Sequence, residues 1–155
     1  LSVQIVRADF ADPRLTTFLE QHLADLAPTA PKESQHALNL SELQHQKVRL
    51  WVALDGSNLV GTGALAQLEP GHEELKSMRT DPLLRRSGIA RAMLTHLLLD
   101  ARGRGVRRIS LETGSMDFFA PARALYASAG FTECAPFGSY VDDPNSTFMT
   151  LELDG

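Results

Sequence analysis

The run HEELKSMRTDPLLRRSGIARAMLTHLLLDA, residues 72–101, changes its period halfway. Its first nine residues read as a strand, and from Gly88 onward the apolar residues recur at the spacing of a helix. Because a further strand, VRRISLETG, follows the helix, the two strands flanking this crossover should be parallel neighbours in one sheet. The junction itself carries Asp81-Pro82, an arginine pair and a glycine. A helix start gathers unpaired N–H groups and the positive end of the helix dipole. Arg85 and Arg86 add positive charge where it opposes that dipole, so they strengthen an anion site beyond what folding needs.

The rest of the chain supplies the sheet. SVQIVRA alternates as a strand, and RLTTFLEQHLADLA places Leu15, Phe18, Leu19, Leu23 and Leu26 at helical spacing behind an Asp12-Pro13 cap. PTAPKESQHALNLSELQHQ reads as a loop with a short helix. KVRLWVAL and NLVGTGALAQL form a hairpin about Asp55-Gly56. A helix over DFFAPARALYASAG precedes two closing strands, FTECAPF and STFMTLEL, which turn at Asp142–Asn145. The expectation is an α/β chain with a mixed, mostly antiparallel sheet flanked by helices, organised as one domain over 1–155.

Composition narrows the partners. Residues 76–108 hold nine of the fifteen Lys and Arg residues against two acids, a surplus of seven positive charges in a chain of net charge −4. That segment has no Phe, Trp or Tyr, so a local basic zone in an acidic protein suits a small polyanion better than nucleic acid. Arg102, Arg104, Arg107 and Arg108 read as cations at a helix C-terminus. No apolar run reaches the roughly 18 residues of a membrane span. LSVQIVRADF lacks the basic lead and apolar stretch of a signal peptide. Cys134 is the single cysteine and the five histidines lack metal-ligand spacing, so neither a disulfide nor a metal is expected. A cytoplasmic setting is the default.

No P-loop and no dinucleotide fingerprint is present. The junction instead contains Arg85-x-x-Gly88-x-Ala90, which resembles the pyrophosphate loop of the GCN5-related N-acetyltransferase (GNAT) superfamily, Gln/Arg-x-x-Gly-x-Gly/Ala. MRTDPLLRRSGIARAMLTHLL is similar to that family's strand–loop–helix unit, and ARALYASAGF to its Leu-Tyr-x-x-x-Gly-Phe signature. The resemblance is specific from about Glu73 to Phe131 and implies a GNAT fold, with the fourth and fifth strands splayed apart and acetyl-CoA as cosubstrate. The implied cofactor-binding residues are Met78, Arg79 and Thr80 on the strand edge, with Arg85, Arg86, Ser87, Gly88, Ile89, Ala90 and Arg91 in the loop and first helical turn. Gly88 would let the pyrophosphate approach the backbone. The chain departs from the family at Phe119, where members often carry Asn, and at Ala90, which replaces the second glycine.

Acetyl transfer to an amine needs a base, an oxyanion donor and a proton for the leaving thiolate. Glu74, eleven residues before Arg85, matches the catalytic glutamate of the family's histone-modifying members and is expected to face a wet cleft. His72, on the same face by alternation, is the alternative base. The Met78 amide is the expected oxyanion donor. Tyr126 matches the motif tyrosine and, with an ordinary pKa near 10, suits protonation of an alkyl thiolate. Cys134, among apolar neighbours, reads as structural. Phe137, Tyr140 and Phe148 belong either to an acceptor pocket or to the core. The expected reaction is transfer to the primary amine of a small amine or amino-acid-like molecule by direct attack in a ternary complex, with a homodimer open to the chain. A peptide acetyltransferase and a non-catalytic acyl-CoA-binding regulatory domain are the alternatives.

Overall fold

The computed structural model describes residues 2–28 and 40–153. The loop expected around Pro31 therefore lies outside the described residues, while its short helix is α2, Leu40–Leu43. The chain runs β1 (Gln4–Arg7), α1 (Pro13–Leu26), α2, β2 (Val48–Asp55), β3 (Asn58–Glu69), β4 (His72–Thr80), α3 (Ile89–Gly103), β5 (Arg108–Gly114), α4 (Ala120–Ser128), β6 (Thr132–Glu133) and β7 (Ser146–Glu152). Asp12 caps α1, its carboxylate accepting from the Arg14 N–H. The β2–β3 hairpin turns at Gly56, whose φ of 58° needs a residue without Cβ strain.

One seven-stranded sheet results, in the order β1-β2-β3-β4-β5-β7-β6, with β4–β5 its parallel pair. Alternation sorts the side chains into two cores. Trp51, Ala53, Leu65, Leu75, Ile109 and Leu111 face α3 and α4, meeting Met93, Leu97, Tyr126 and Phe131. On the other face, Leu50, Val52 and Ala64 meet Leu15 and Leu19 of α1 and Leu43 of α2. That second core spans β2 and β3, so the same face of β4, β5 and β7 carries a polar floor.

The expected strand FTECAPF shortens to Thr132–Glu133. Cys134 still donates its N–H to the Phe148 carbonyl, but Pro136 has no N–H to continue the ladder. The chain then leaves the sheet edge and folds back as a loop over the polar floor. No helix of the described residues is long and apolar enough to cross a membrane.

The β5–α4 connection is tightly packed. A Cβ placed on Gly114 would lie 2.1 Å from Phe119 Cδ2 and 2.4 Å from Cε2. Phe119, at the position where the resemblance leads one to expect Asn, covers a glycine instead. Gly114→Ala should cost about 1–3 kcal/mol through overpacking and lower the thermal midpoint. The double variant with Phe119→Ala should recover part of that loss. An unchanged midpoint in Gly114→Ala would mean that the ring moves freely.

Candidate active site

β4 and β5 pair through four positions, from His72–Arg108 to Leu75–Leu111, and then separate. Beyond that point β4 stays with β3 as far as Thr80–Gly61, while β5 stays with β7 as far as Gly114–Ser146. The strands therefore diverge, and a cavity of about 590 Å³ lies beside the freed end of β4; Glu74 and His72 are not among the residues that line it. Its walls include Met78, Arg79 and Thr80 of β4, then Arg85, Arg86, Gly88, Ile89, Ala90 and Arg91. Tyr126 of α4 reaches it from the side. Nine of the ten residues expected at a cofactor, together with Tyr126, meet around one cavity; Ser87 instead donates its hydroxyl to the Leu84 carbonyl.

The loop fits a pyrophosphate. Its backbone is left-handed at Arg86 (φ 66°) and Gly88 (φ 90°), a conformation that helps curl amide N–H groups around an anion. No side chain caps α3, so its first-turn N–H groups remain available. A Cβ on Gly88 would meet nothing within 4 Å, which leaves the approach to these amides open. The Arg85 guanidinium lies over the Phe118 ring at 5.8 Å, and Arg91 donates to the Ser128 hydroxyl at 3.1 Å. Arg104, by contrast, is bound bidentately to Glu73 at 2.8 Å and to Asp100 at 2.9 Å, and Arg108 pairs with Glu152. The basic zone divides into exposed arginines at one end of α3 and paired ones near the other; Arg107 is exposed there as well.

A bulge sets which β4 side chains face which side. Thr62 pairs with Arg79 and Ala64 with Lys76, so β4 carries one extra residue there, and Ser77 takes φ 55°. The Thr62 hydroxyl donates to the Ser77 carbonyl at 2.7 Å and pins the distortion. Met78 consequently packs on the α3 side, while Arg79 turns to α1.

On the polar floor, Glu74 is 6% exposed, a correction to the wet cleft expected for it. Its Oε2 accepts from the Tyr140 hydroxyl at 2.5 Å and from Lys76 Nζ at 3.1 Å, and Lys76 also reaches Tyr140 at 3.0 Å. Burial, followed by the Glu74 charge, pushes the Tyr140 phenol well above its ordinary value, so it stays a donor. Phe137, Tyr140 and Phe148 pack edge-on or tilted against one another beside Glu74 and Lys76, and none of the three lines the cavity. Neither Tyr140 nor Lys76 is legible as a Glu74 partner from sequence motifs, although two-residue alternation places Lys76 on its face. His72 is bound to Ser110 at 2.7 Å, and Ser110 to Thr150 at 2.9 Å. Burial leads in lowering the His72 pKa.

Tyr126 is 6% exposed, and burial alone raises its phenol above the ordinary range, which keeps it protonated. Burial likewise raises the Cys134 thiol, which suits a structural cysteine.

A family model described as the acetyltransferase (GNAT) family matches residues 15–131. The uncharacterized N-acetyltransferase YsnE of Bacillus subtilis (strain 168) is 44% identical over 145 residues, covering 94% of this chain and 96% of its own. The IAA acetyltransferase of Azospirillum brasilense is 39% identical over 136 residues, covering 87% and 86%. Among solved structures, the PaiA N-acetyltransferase of Thermoplasma acidophilum in complex with coenzyme A has a TM-score of 0.74 at 14% identity, over 99% of this chain and 100% of that one. That last likeness is one of fold.

Calorimetry with coenzyme A tests the loop. Gly88→Val should weaken binding, because a β-branched residue at positive φ both strains the loop and obstructs its amides. Arg85→Ala should cost about tenfold, the scale of one charge-assisted contact, and the loss should shrink with added salt. Arg107→Ala should bind as the parent does. Equal effects at Arg85 and Arg107 would reduce the basic zone to a general field.

Proposed function

The chain belongs to the acetyltransferase (GNAT) family and is an acyltransferase, and from that premise we propose that it transfers acetyl from acetyl-CoA to a small primary amine by direct attack in a ternary complex. The observation that carries this reading is the open edge of β4, with the anion-binding loop at one end and the Glu74–Lys76–Tyr140 triad on the adjoining floor. Acetyl-CoA supplies the activated acetyl group. The backbone of Met78 and Thr80 offers hydrogen bonds to an extended arm, and amides from Arg86 to Arg91 hold the phosphates. The Met78 N–H is the donor assigned to the developing oxyanion.

Glu74 is assigned as the base. Its Oε2 is occupied by Tyr140 and Lys76, which leaves Oε1 to accept a proton from the amine or from an intervening water. The two contacts fix the carboxylate's orientation and compensate its burial. Tyr126 is assigned as the acid. Burial raises its pKa, so it holds its proton through alkaline pH but is a weaker acid toward an alkyl thiolate than the ordinary phenol expected from the sequence.

Tyr126→Phe keeps the ring packing and removes the hydroxyl. Turnover should fall about a hundredfold or more, with coenzyme A affinity little changed. Glu74→Gln should depress the rate most below the acceptor's own pKa, and part of the loss should return at high pH, where free amine is abundant. Full activity in Tyr126→Phe would hand its proton to water. A pH-independent defect in Glu74→Gln would leave that residue a binding role. Coenzyme A binding without turnover of any amine or peptide would instead support a regulatory domain.

A further inference from the structure

The side of the splay cavity facing α1 is built from His22, Asp25 and Leu26, with Arg79 of β4 beside them. The Arg79 side chain is 8% exposed, and its guanidinium lies over the Phe18 ring at 5.6 Å. Its Nη2 pairs with Asp25 Oδ2 at 2.5 Å, while its Nε is buried with no hydrogen-bond partner among the described residues. His22 Nδ1 is also buried without a partner among the described residues. Burial, reinforced by the Arg79 charge, holds the His22 pKa at about 4, so the imidazole is neutral near pH 7 and adds no positive charge.

A strap between α1 and β4 would leave no reason for an orphaned guanidinium donor, since buried donors are ordinarily paired. A guanidinium carries five N–H donors in a fixed fork that matches a carboxylate or a phosphate, and the cofactor's phosphates are already assigned to the loop before α3, which leaves a carboxylate for Arg79. The bulge at Ser77 gives Arg79 a further significance. It turns this side chain onto the face that also carries Glu74 and Lys76, one residue along the chain from the Met78 amide assigned to the oxyanion.

Resting on the transfer reaction assigned above, we propose that Arg79 binds the carboxylate of the acceptor, and that the acceptor is a small amino acid, an amine and a carboxylate joined by a short carbon chain. The charges match at both ends: Glu74 faces the amine and Arg79 faces the acid group. Asp25 and Phe18 act as positioning residues, holding the guanidinium plane against α1. Arg79 takes no part in the bond changes. The N–C bond forms as the C–S bond breaks, the neutral amine's departing proton goes to Glu74, and Tyr126 supplies one to the sulfur. The carboxylate stays ionised throughout.

The test is a thiol-release assay on the wild-type protein with acetyl-CoA and a panel of amino acids, each set beside its carboxamide and the decarboxylated amine. For the best acceptor, kcat/KM of the acid should exceed that of its amide by about tenfold to a hundredfold, the scale of a lost charge-assisted hydrogen bond, with most of the gap in KM. In Arg79→Gln that ratio should fall toward one, and Arg79→Lys should keep part of it. A role limited to strapping α1 to β4 would change the melting temperature and leave the ratio alone. Equal kcat/KM for acid and amide in the wild type overturns the carboxylate site while the transfer reaction stands. So does an undiminished ratio in a folded Arg79→Gln protein. Coenzyme A binding with no turnover of acids, amides or amines overturns the transfer reaction and this inference with it.

Discussion

Backbone pairing between β4 and β5 stops at Leu75 and Leu111, and the site follows from that stop. Neither strand is abandoned by it, since β4 keeps β3 as a partner and β5 keeps β7. Only the edges that face each other across the gap lose their ladder. A buried strand edge needs polar company for its N–H and C=O groups, so this gap suits an extended ligand rich in amides. The bulge at Ser77 contributes a second effect by reversing the alternation of β4 just where the gap begins. Without it, Met78 would lie on the side of Glu74 and Lys76, and Arg79 would point into the α3 core.

The polar character of β4, unusual for a strand inside a sheet, is resolved by pairing on both faces. Glu73 is closed by the fork of Arg104 at the end of α3, and this bidentate contact raises the arginine's pKa further. Glu74 is closed by Lys76 and by Tyr140, a residue brought in from the loop after β6. The two neighbouring carboxylates therefore differ in kind. Glu73 has both oxygens engaged and ties α3 to the sheet, whereas among the described residues only Oε2 of Glu74 is hydrogen-bonded. Removing one member of such a buried pair leaves an uncompensated charge, which ties the order of the 134–145 loop to the chemistry beneath it.

Much of this was legible before the fold was known, because it depends on local pattern. The bounds of β4 and α3, the parallel crossover and the cavity lining around Gly88 all follow from period and from the glycine and arginine positions. Non-local features were not. Tyr140 meets Glu74 across 66 residues of sequence, and no periodicity encodes that contact. A strict two-residue alternation also assigns Arg79 to the wrong face, since one inserted residue inverts everything after it. The shortening of β6 had a local sign in Pro136, but the apolar run FTECAPF masked it.

The two faces of the sheet divide the proposed work between them. Tyr126 belongs to the core beneath α3 and α4, whereas Glu74 belongs to the floor on the α1 side. An acid and a base on opposite faces of an intact sheet could not serve one reacting centre, because the ladder would separate them. Glu74 itself still pairs with Ser110, and the splay opens the barrier just beyond it, after Leu75. A thioester at the end of an arm whose phosphates sit at the α3 N-terminus, and an amine arriving from the α1 side, would then meet near the start of the gap. Direct transfer needs no covalent relay in such a geometry, and Cys134, half-buried beyond β6 with a raised thiol pKa, is left without a part in it.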